Sequence, residues 1–190
     1  MLAADPRKQK YRRVVLDNEI YLSREYLRFE EAHDLTNPLK LYHCDVSPAW
    51  VDYNNHMSES FYLFAFGDAS DALFRYIGID EAYRESGYSF YTVETHINYF
   101  LEVSKGEPLY FTTQLLGLDA KRLHFFHSMY HKDTHALLAT TEQMLLHVDM
   151  QQSKAAPIKS AVQEVLSKIM QAHKSLDKPR QVGRVMQVKA

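Results

Sequence analysis

The chain has 190 residues, 46% of them apolar and 13% aromatic, enough for one globular domain with a proper core. Its formal net charge is −2, so no strong basic field points to nucleic acid or to an anionic membrane. The lone cysteine, Cys44, excludes an intrachain disulfide and a cysteine-based zinc cluster, and no run approaches the roughly 18 consecutive apolar residues of a membrane span.

Residues 1–38 read as an N-terminal extension. The first twelve are charged and expected to be loose, and the opening MLAADPRKQKYRRVV has basic residues with no apolar run behind them. That is not the pattern of a secretory signal, and with a single cysteine it leads us to expect a cytoplasmic protein. A short strand is expected at 13–16 and a helical piece at 22–33, with Asn37-Pro38 marking a boundary.

The main domain is expected over 39–150. LKLYHCDV (39–46) alternates as a strand does, and Pro48 ends it. Residues 49–56 form a polar loop. From Met57 to Ile77 there is no proline and one glycine, with Ser58, Glu59 and Ser60 suited to a helix start and Gly78 to its end. The first half of this helix is apolar on every face, which predicts a helix surrounded by protein. A loop over 79–87 precedes four strand-like segments at 88–103, 108–118, 121–131 and 135–149. The short breaks SKGEP, LDAK and HKDTH carry turn chemistry and predict a meander of antiparallel strands. Residues 151–190 supply a final helix over 157–175 and a basic tail.

A strand, a long buried helix and then four antiparallel strands form an α+β domain. The sheet must curl round the helix, which is the hotdog arrangement, with about five strands. Such a sheet leaves an open edge, so a homodimer or a dimer of dimers is expected.

The densest polar cluster, Asp52 to His56, directly precedes the helix. Helix-start N–H groups hold an oxyanion well, and a nearby carboxylate can activate water or attack a carbonyl. In that reading Asp52 is nucleophile or general base, N–H groups near Met57 to Ser60 polarise the carbonyl, and Asn55 and His56 orient water or substrate. Residue chemistry alone leaves a second reading open, in which Asp52, Asn54 and Asn55 are turn and capping residues.

The pattern D-x-x-N-H-M-x-x-x-x-Y (Asp52, Asn55, His56, Met57, Tyr62) resembles the signature of the 4-hydroxybenzoyl-CoA thioesterase family of hotdog hydrolases. The resemblance covers about 39–150, including INYFLEVSKGEP (97–108). It implies that Asp52 is the catalytic acid, that Glu59 holds the position whose N–H faces the thioester carbonyl, and that Tyr62 is the early helix tyrosine. Asn55 departs from the usual glycine, which puts the family's broader substrates in doubt. CDVSPAWVDYNNHMSESFY, THINYFLEV and AHKSLDKPRQVGR (172–184) resemble more narrowly the betainyl-CoA thioesterases of bacterial carnitine breakdown.

A quaternary ammonium acyl group is held by aromatic faces and an anion. Trp50, Tyr53, Tyr88, Phe90, Tyr91, Tyr99 and Phe100 lie near or after the motif with Glu94 among them, and Trp50, Tyr53, Tyr62, Tyr91 and Glu94 are taken as the substrate-binding candidates, although rings at these positions also serve as core and interface. No cofactor is expected. His124, His127, His131 and His135 lack metal-site spacing and a completing acid, so no metal is expected either. Lys105, Lys121, Arg122, Lys178, Arg180 and Arg184 are candidates for coenzyme A phosphates, with solvated surface as the plainer reading.

The expected function is hydrolysis of a small acyl-CoA thioester to free acid and coenzyme A. Two alternatives compete. Hotdog enoyl-CoA hydratases place acid and histidine five apart in D-x-N-x-x-H, whereas Asp52 and His56 are four apart. A non-catalytic acyl-CoA-binding module would not need the intact Asp52. A carrier-protein thioester would favour a basic docking patch, which the near-neutral charge does not show.

Overall fold

The structure, a computed structural model, describes residues 27–188. The expected strand at 13–16 and the loose stretch 1–12 lie outside the described residues. Of the helical piece expected at 22–33, the described part, 27–33, forms no helix. Instead the Phe29 N–H donates to Tyr76 O (2.9 Å), and Phe29 and His33 pack on the Tyr76 ring. Tertiary anchoring of these rings overrides the local helical pattern.

Strand β1 (Leu39–Asp45) leads through a 3-10 turn at Pro48–Trp50 to the long helix α1 (Glu59–Tyr76). Gly78, with φ +94, ends α1 in a left-handed conformation open to glycine. The expected loop holds a short helix, α2 (Glu81–Glu85), capped by the Asp80 carboxylate. Strands β2 (Tyr88–Tyr99), β3 (Pro108–Leu118), β4 (Arg122–His131) and β5 (Leu137–Asp149) follow. A two-residue β6 (Lys154–Ala155) pairs with β5, and helix α3 (Ser160–His173) comes last.

The strand order is β1-β3-β4-β5-β2, with every pair antiparallel. The expected meander holds for β3, β4 and β5 but not for β2. Strand β2 pairs with β5 at one end of the sheet, and β3 pairs with β1 at the other. The SKGEP segment is therefore a crossing and not a hairpin. Residues 100–107 pass the start of α1, where Val103 O accepts the Met57 N–H (2.8 Å). That backbone satisfaction explains why the crossing is ordered although β2 stops at Tyr99.

The sheet curls round α1. On the concave side Ala65, Phe66, Ala69, Ala72 and Leu73 of the helix are buried against Phe111, Phe125, Met129 and Leu145. Burying Phe66 and Leu73 alone is worth about 1.5–3 kcal/mol each. Helix α3 continues the same core, with Val162, Leu166 and Ile169 closing the end of α1 near Ile77. The expectation of an α1 buried on every face fails in its first half, where Leu63 is 44% and Phe64 54% exposed. These side chains lie on the helix face that the chain's own sheet does not reach.

A polar seam runs through this core. The His127 ring is fully buried, with Nε2 3.1 Å from Ser70 Oγ of α1 and Nδ1 2.8 Å from Thr113 Oγ1 of β3. It ties helix to sheet, and burial holds its pKa down at about 3, so the ring is neutral.

Candidate active site

The residues ahead of α1 form a miniature hairpin. Val51 bridges Met57, the Asp52 N–H donates to His56 O (3.0 Å), and the Asn55 N–H donates to Asp52 O (3.0 Å). One oxygen of the Asp52 carboxylate accepts the Asn54 N–H at 2.8 Å, an Asx turn. The other has no partner among the described residues, and the side chain faces solvent. Asp52 is thus held as a turn residue, as the second sequence reading expects, while its other oxygen meets no protein group among the described residues.

Asn55 has φ +65. Only glycine and, at lower cost, asparagine or aspartate adopt this conformation readily. That accounts for the departure from glycine: the turn demands left-handed backbone, and Asn55 supplies it.

Helix-start N–H groups are fewer than expected. Those of Met57 and Ser58 are taken by Val103 O and Trp50 O, both at 2.8 Å. The Ser58 side chain makes no cap hydrogen bond, and the N–H groups of Glu59 and Ser60 have no partner among the described residues. These two are the donors that α1, with its dipole, presents to an anion.

His56 is half-exposed. Its Nδ1 lies 3.1 Å from a Glu102 carboxylate oxygen, and its backbone bridges Ser104. Glu102 was not a sequence candidate, because 46 residues separate it from His56 and only the crossing after β2 brings them together. Tyr99, one of the rings weighed for holding a cation, lies against the first turn of α1. Its hydroxyl donates to Glu59 O (3.3 Å) and its ring packs edge-on against Tyr62 at 5.3 Å. Tyr62 in turn donates to Leu101 O (3.3 Å), and burial raises its pKa, keeping the phenol protonated. The pair fastens the crossing to the first turn of α1.

The aromatic candidates fall into different places. Trp50 stacks on Phe61 (6.2 Å, 16°) and meets Phe64 edge-on (5.7 Å), making an aromatic patch beside the Asp52 hairpin in which Trp50 and Phe61 are half-buried and Phe64 is exposed. Tyr53 is 96% exposed at the hairpin tip. Tyr91 and Glu94 lie on β2. Glu94 faces the outer side of the sheet, pairs with His96 (3.0 Å), and lines a cavity of about 210 Å³ with His124 and Glu142. Within one chain these five do not form a single cage. His124 is paired with Glu142 (2.8 Å), and among the described residues no group of three or more His, Cys, Asp or Glu side chains is placed to hold a metal ion. Among the described residues no helix is long and apolar enough to cross a membrane.

Residues 46–166 match the model of the Thioesterase-like superfamily. The chain is 48% identical over 151 residues to the L-carnitine dehydrogenase/betainyl-CoA thioesterase of Rhizobium meliloti, across 80% of this chain and 30% of that protein. The chain thus spans under a third of that two-activity relative. It is 42% identical over 153 residues to the betainyl-CoA thioesterase of Pseudomonas aeruginosa, across 80% of this chain and 96% of that one. Among solved structures, a candidate thioesterase from Pseudomonas putida KT2440 aligns with TM-score 0.71 and 36% identity, covering 81% of this chain and 99% of the other. A Staphylococcus aureus protein solved in complex with CoA shares the fold, with TM-score 0.72 and 22% identity over 88% of this chain and 100% of its own. Matched over most of its sheet and by relatives well above 30% identity, the chain belongs to the thioesterase-like superfamily of hotdog proteins.

Proposed function

We propose that the chain is an acyl-CoA thioesterase whose substrate is betainyl-CoA. The observation that carries the reading is Asp52, fixed by its own turn with one carboxylate oxygen open, directly ahead of a helix whose Glu59 and Ser60 N–H groups have no partner among the described residues. The shared betainyl-CoA thioesterase name of relatives 42–48% identical supports the substrate.

In this mechanism the thioester carbonyl oxygen lies against the N–H groups of Glu59 and Ser60. Asp52 takes a proton from water that attacks the carbonyl carbon, or attacks that carbon itself to give an anhydride that water then opens. Negative charge grows on the carbonyl oxygen and is met by the two N–H groups and the α1 dipole. The C–S bond breaks, coenzyme A leaves as the thiol, and the acyl group leaves as the acid. His56, oriented by Glu102, and Asn55 border the water and substrate positions. Trp50, with its neighbours Phe61 and Phe64, offers ring faces to the trimethylammonium group.

The working unit is a homodimer paired through β2. That strand has a ladder partner on one side alone among the described residues, and unpaired strand edges recruit another strand. The exposed Tyr53, Leu63 and Phe64 fit a site completed by a second copy. The cytoplasm is the proposed location, since the proposed substrate is a coenzyme A thioester and the chain's one cysteine, Cys44, can form no intrachain disulfide.

The test is thiol release from betainyl-, acetyl-, benzoyl- and a medium-chain acyl-CoA. The reading expects the highest kcat/KM on betainyl-CoA. A preference for benzoyl- or medium-chain substrates would remove the betainyl assignment, and release from none would remove the thioesterase assignment.

A further inference from the structure

The segment after α3 crosses the outer face of the sheet as a fastened strap. The Gln114 side-chain amide donates to Asp177 O (3.2 Å), the Gly183 N–H donates to a Glu142 carboxylate oxygen (2.7 Å), and Arg184 Nη1 donates to Asn98 Oδ1 (3.3 Å). These contacts step from β3 to β5 to β2, the strand that ends the sheet. Beyond Arg184 the chain has left its own sheet, and Val185, Met186 and Val188 are 76%, 98% and 99% exposed. Apolar side chains held in water at the end of an anchored strap gain by being covered.

The neighbouring strand is equally incomplete. Between β2 and the tail runs a cavity of about 730 Å³, lined by residues 95–99 on one side and by Arg184, Val185 and Met186 on the other. Five consecutive strand residues border it, and alternate ones belong to opposite faces. The cavity therefore follows the free edge of β2 and not either face. A space along an unpaired edge, bounded opposite by a second piece of chain, has the shape and hydrogen-bonding demand of one more strand.

We propose that the C-terminal tail is a clasp: residues 185–188 form the outer wall of a slot that takes β2 of a second copy, and Val185, Met186 and Val188 close over that copy. The inference rests on the β2-paired dimer proposed above and adds to it the part that the tail plays. Hydrogen-bonding groups support the choice of occupant. Each edge carries Glu94 and His96, two residues apart on the outer face and 3.0 Å from each other within one chain. With the two-fold axis placed at Thr95, the carboxylate of one copy stands opposite the imidazole of the other, so the same acceptor and donor can also meet across the pair. The symmetry yields two clasps per dimer.

Sedimentation equilibrium on the full chain and on the Val185→Ser/Met186→Ser/Val188→Ser variant tests this. These side chains are exposed in the single chain, so far-UV circular dichroism is expected to be unchanged. The clasp predicts a dimeric full chain and a dissociation constant at least ten-fold higher for the variant. A dimer of unchanged constant overturns the clasp while leaving β2 pairing intact. A monomeric full chain overturns both, without bearing on the thioesterase assignment. Amide exchange separates the remaining occupant: protection of residues 95–99 that follows added coenzyme A and not protein concentration assigns the slot to the ligand, and the clasp fails.

Discussion

The backbone N–H of Asn54 donates to one oxygen of the Asp52 carboxylate at 2.8 Å and leaves the other oxygen open. In the proposed mechanism one side chain therefore has two separable duties, to close the turn and to face the reaction. Asparagine keeps an acceptor oxygen for the turn, whereas alanine keeps nothing. Asp52→Ala is expected to destabilise the fold by about 1 kcal/mol, the worth of a capping-type hydrogen bond, and Asp52→Asn by less than half of that. Urea melts of the two variants check this, and equal stabilities would remove the turn role.

Asn55 sits at φ +65 in the same hairpin. Asn55→Gly is expected to fold and turn over as the parent does, because glycine meets the backbone requirement without strain. Asn55→Val places a β-branched residue in the left-handed region at a cost of about 1–2 kcal/mol, and should distort the hairpin that carries Asp52. Loss of kcat with valine and its retention with glycine assign Asn55 to the backbone. Loss with both would assign its side chain to the substrate.

His127 predicts an acid limb to stability. Burial depresses its pKa to about 3 in the fold, while the unfolded chain titrates near the ordinary histidine value. The unfolded state thus binds a proton that the folded state refuses. The contribution to stability is full above pH 6.5 and is lost as pH falls from there towards 3, by up to about 1.4 kcal/mol per pH unit. His127→Gln, which keeps polar atoms for Ser70 and Thr113, should flatten this limb in denaturant titrations between pH 6.5 and 4. An unchanged slope would place the acid sensitivity elsewhere.

Trp50 is the ring best placed to meet a cation, since Phe61 and Phe64 hold its plane beside the Asp52 hairpin. Cation–π contacts are worth about 0.5–2 kcal/mol, so Trp50→Ala should raise KM for betainyl-CoA roughly three- to thirty-fold more than for acetyl-CoA. Equal losses on the two substrates would reduce Trp50 to packing.

Much of the fold was legible because it rests on local pattern. Alternation gave β1, β3, β4 and β5 within a residue or two, and the unbroken run after Met57 gave α1 with Gly78 at its end. The place of β2 was not legible. A short polar break normally signals a hairpin, and only the backbone bond from Met57 to Val103 shows the chain crossing α1 instead. That crossing is also why Glu102 escaped notice and why Tyr99 was weighed as a cation-binding ring and not as a fastener of α1, since their partners His56 and Glu59 are distant in sequence. The apolar first half of α1 was read as buried within one chain, but apolar patterning reports covering and not which copy supplies it. The Asp52 cluster was legible as one local unit because its spacing is short, whereas the proposed set of Trp50, Tyr53, Tyr62, Tyr91 and Glu94 joins residues from a hairpin, a helix and a strand. Within one chain Glu94 turns to the outer face beside His96, a placement that the bulge between Thr92 and Glu94 sets and that period-two counting cannot foresee.

The most direct test of the account is the rate of thiol release from betainyl-CoA by the parent chain and by Asp52→Asn at equal concentration of folded protein. The account predicts turnover in the parent and a fall of at least about 100-fold in the variant, the usual scale for losing a positioned acid–base group. Turnover that survives Asp52→Asn undiminished would contradict it and leave Asp52 as a turn residue alone.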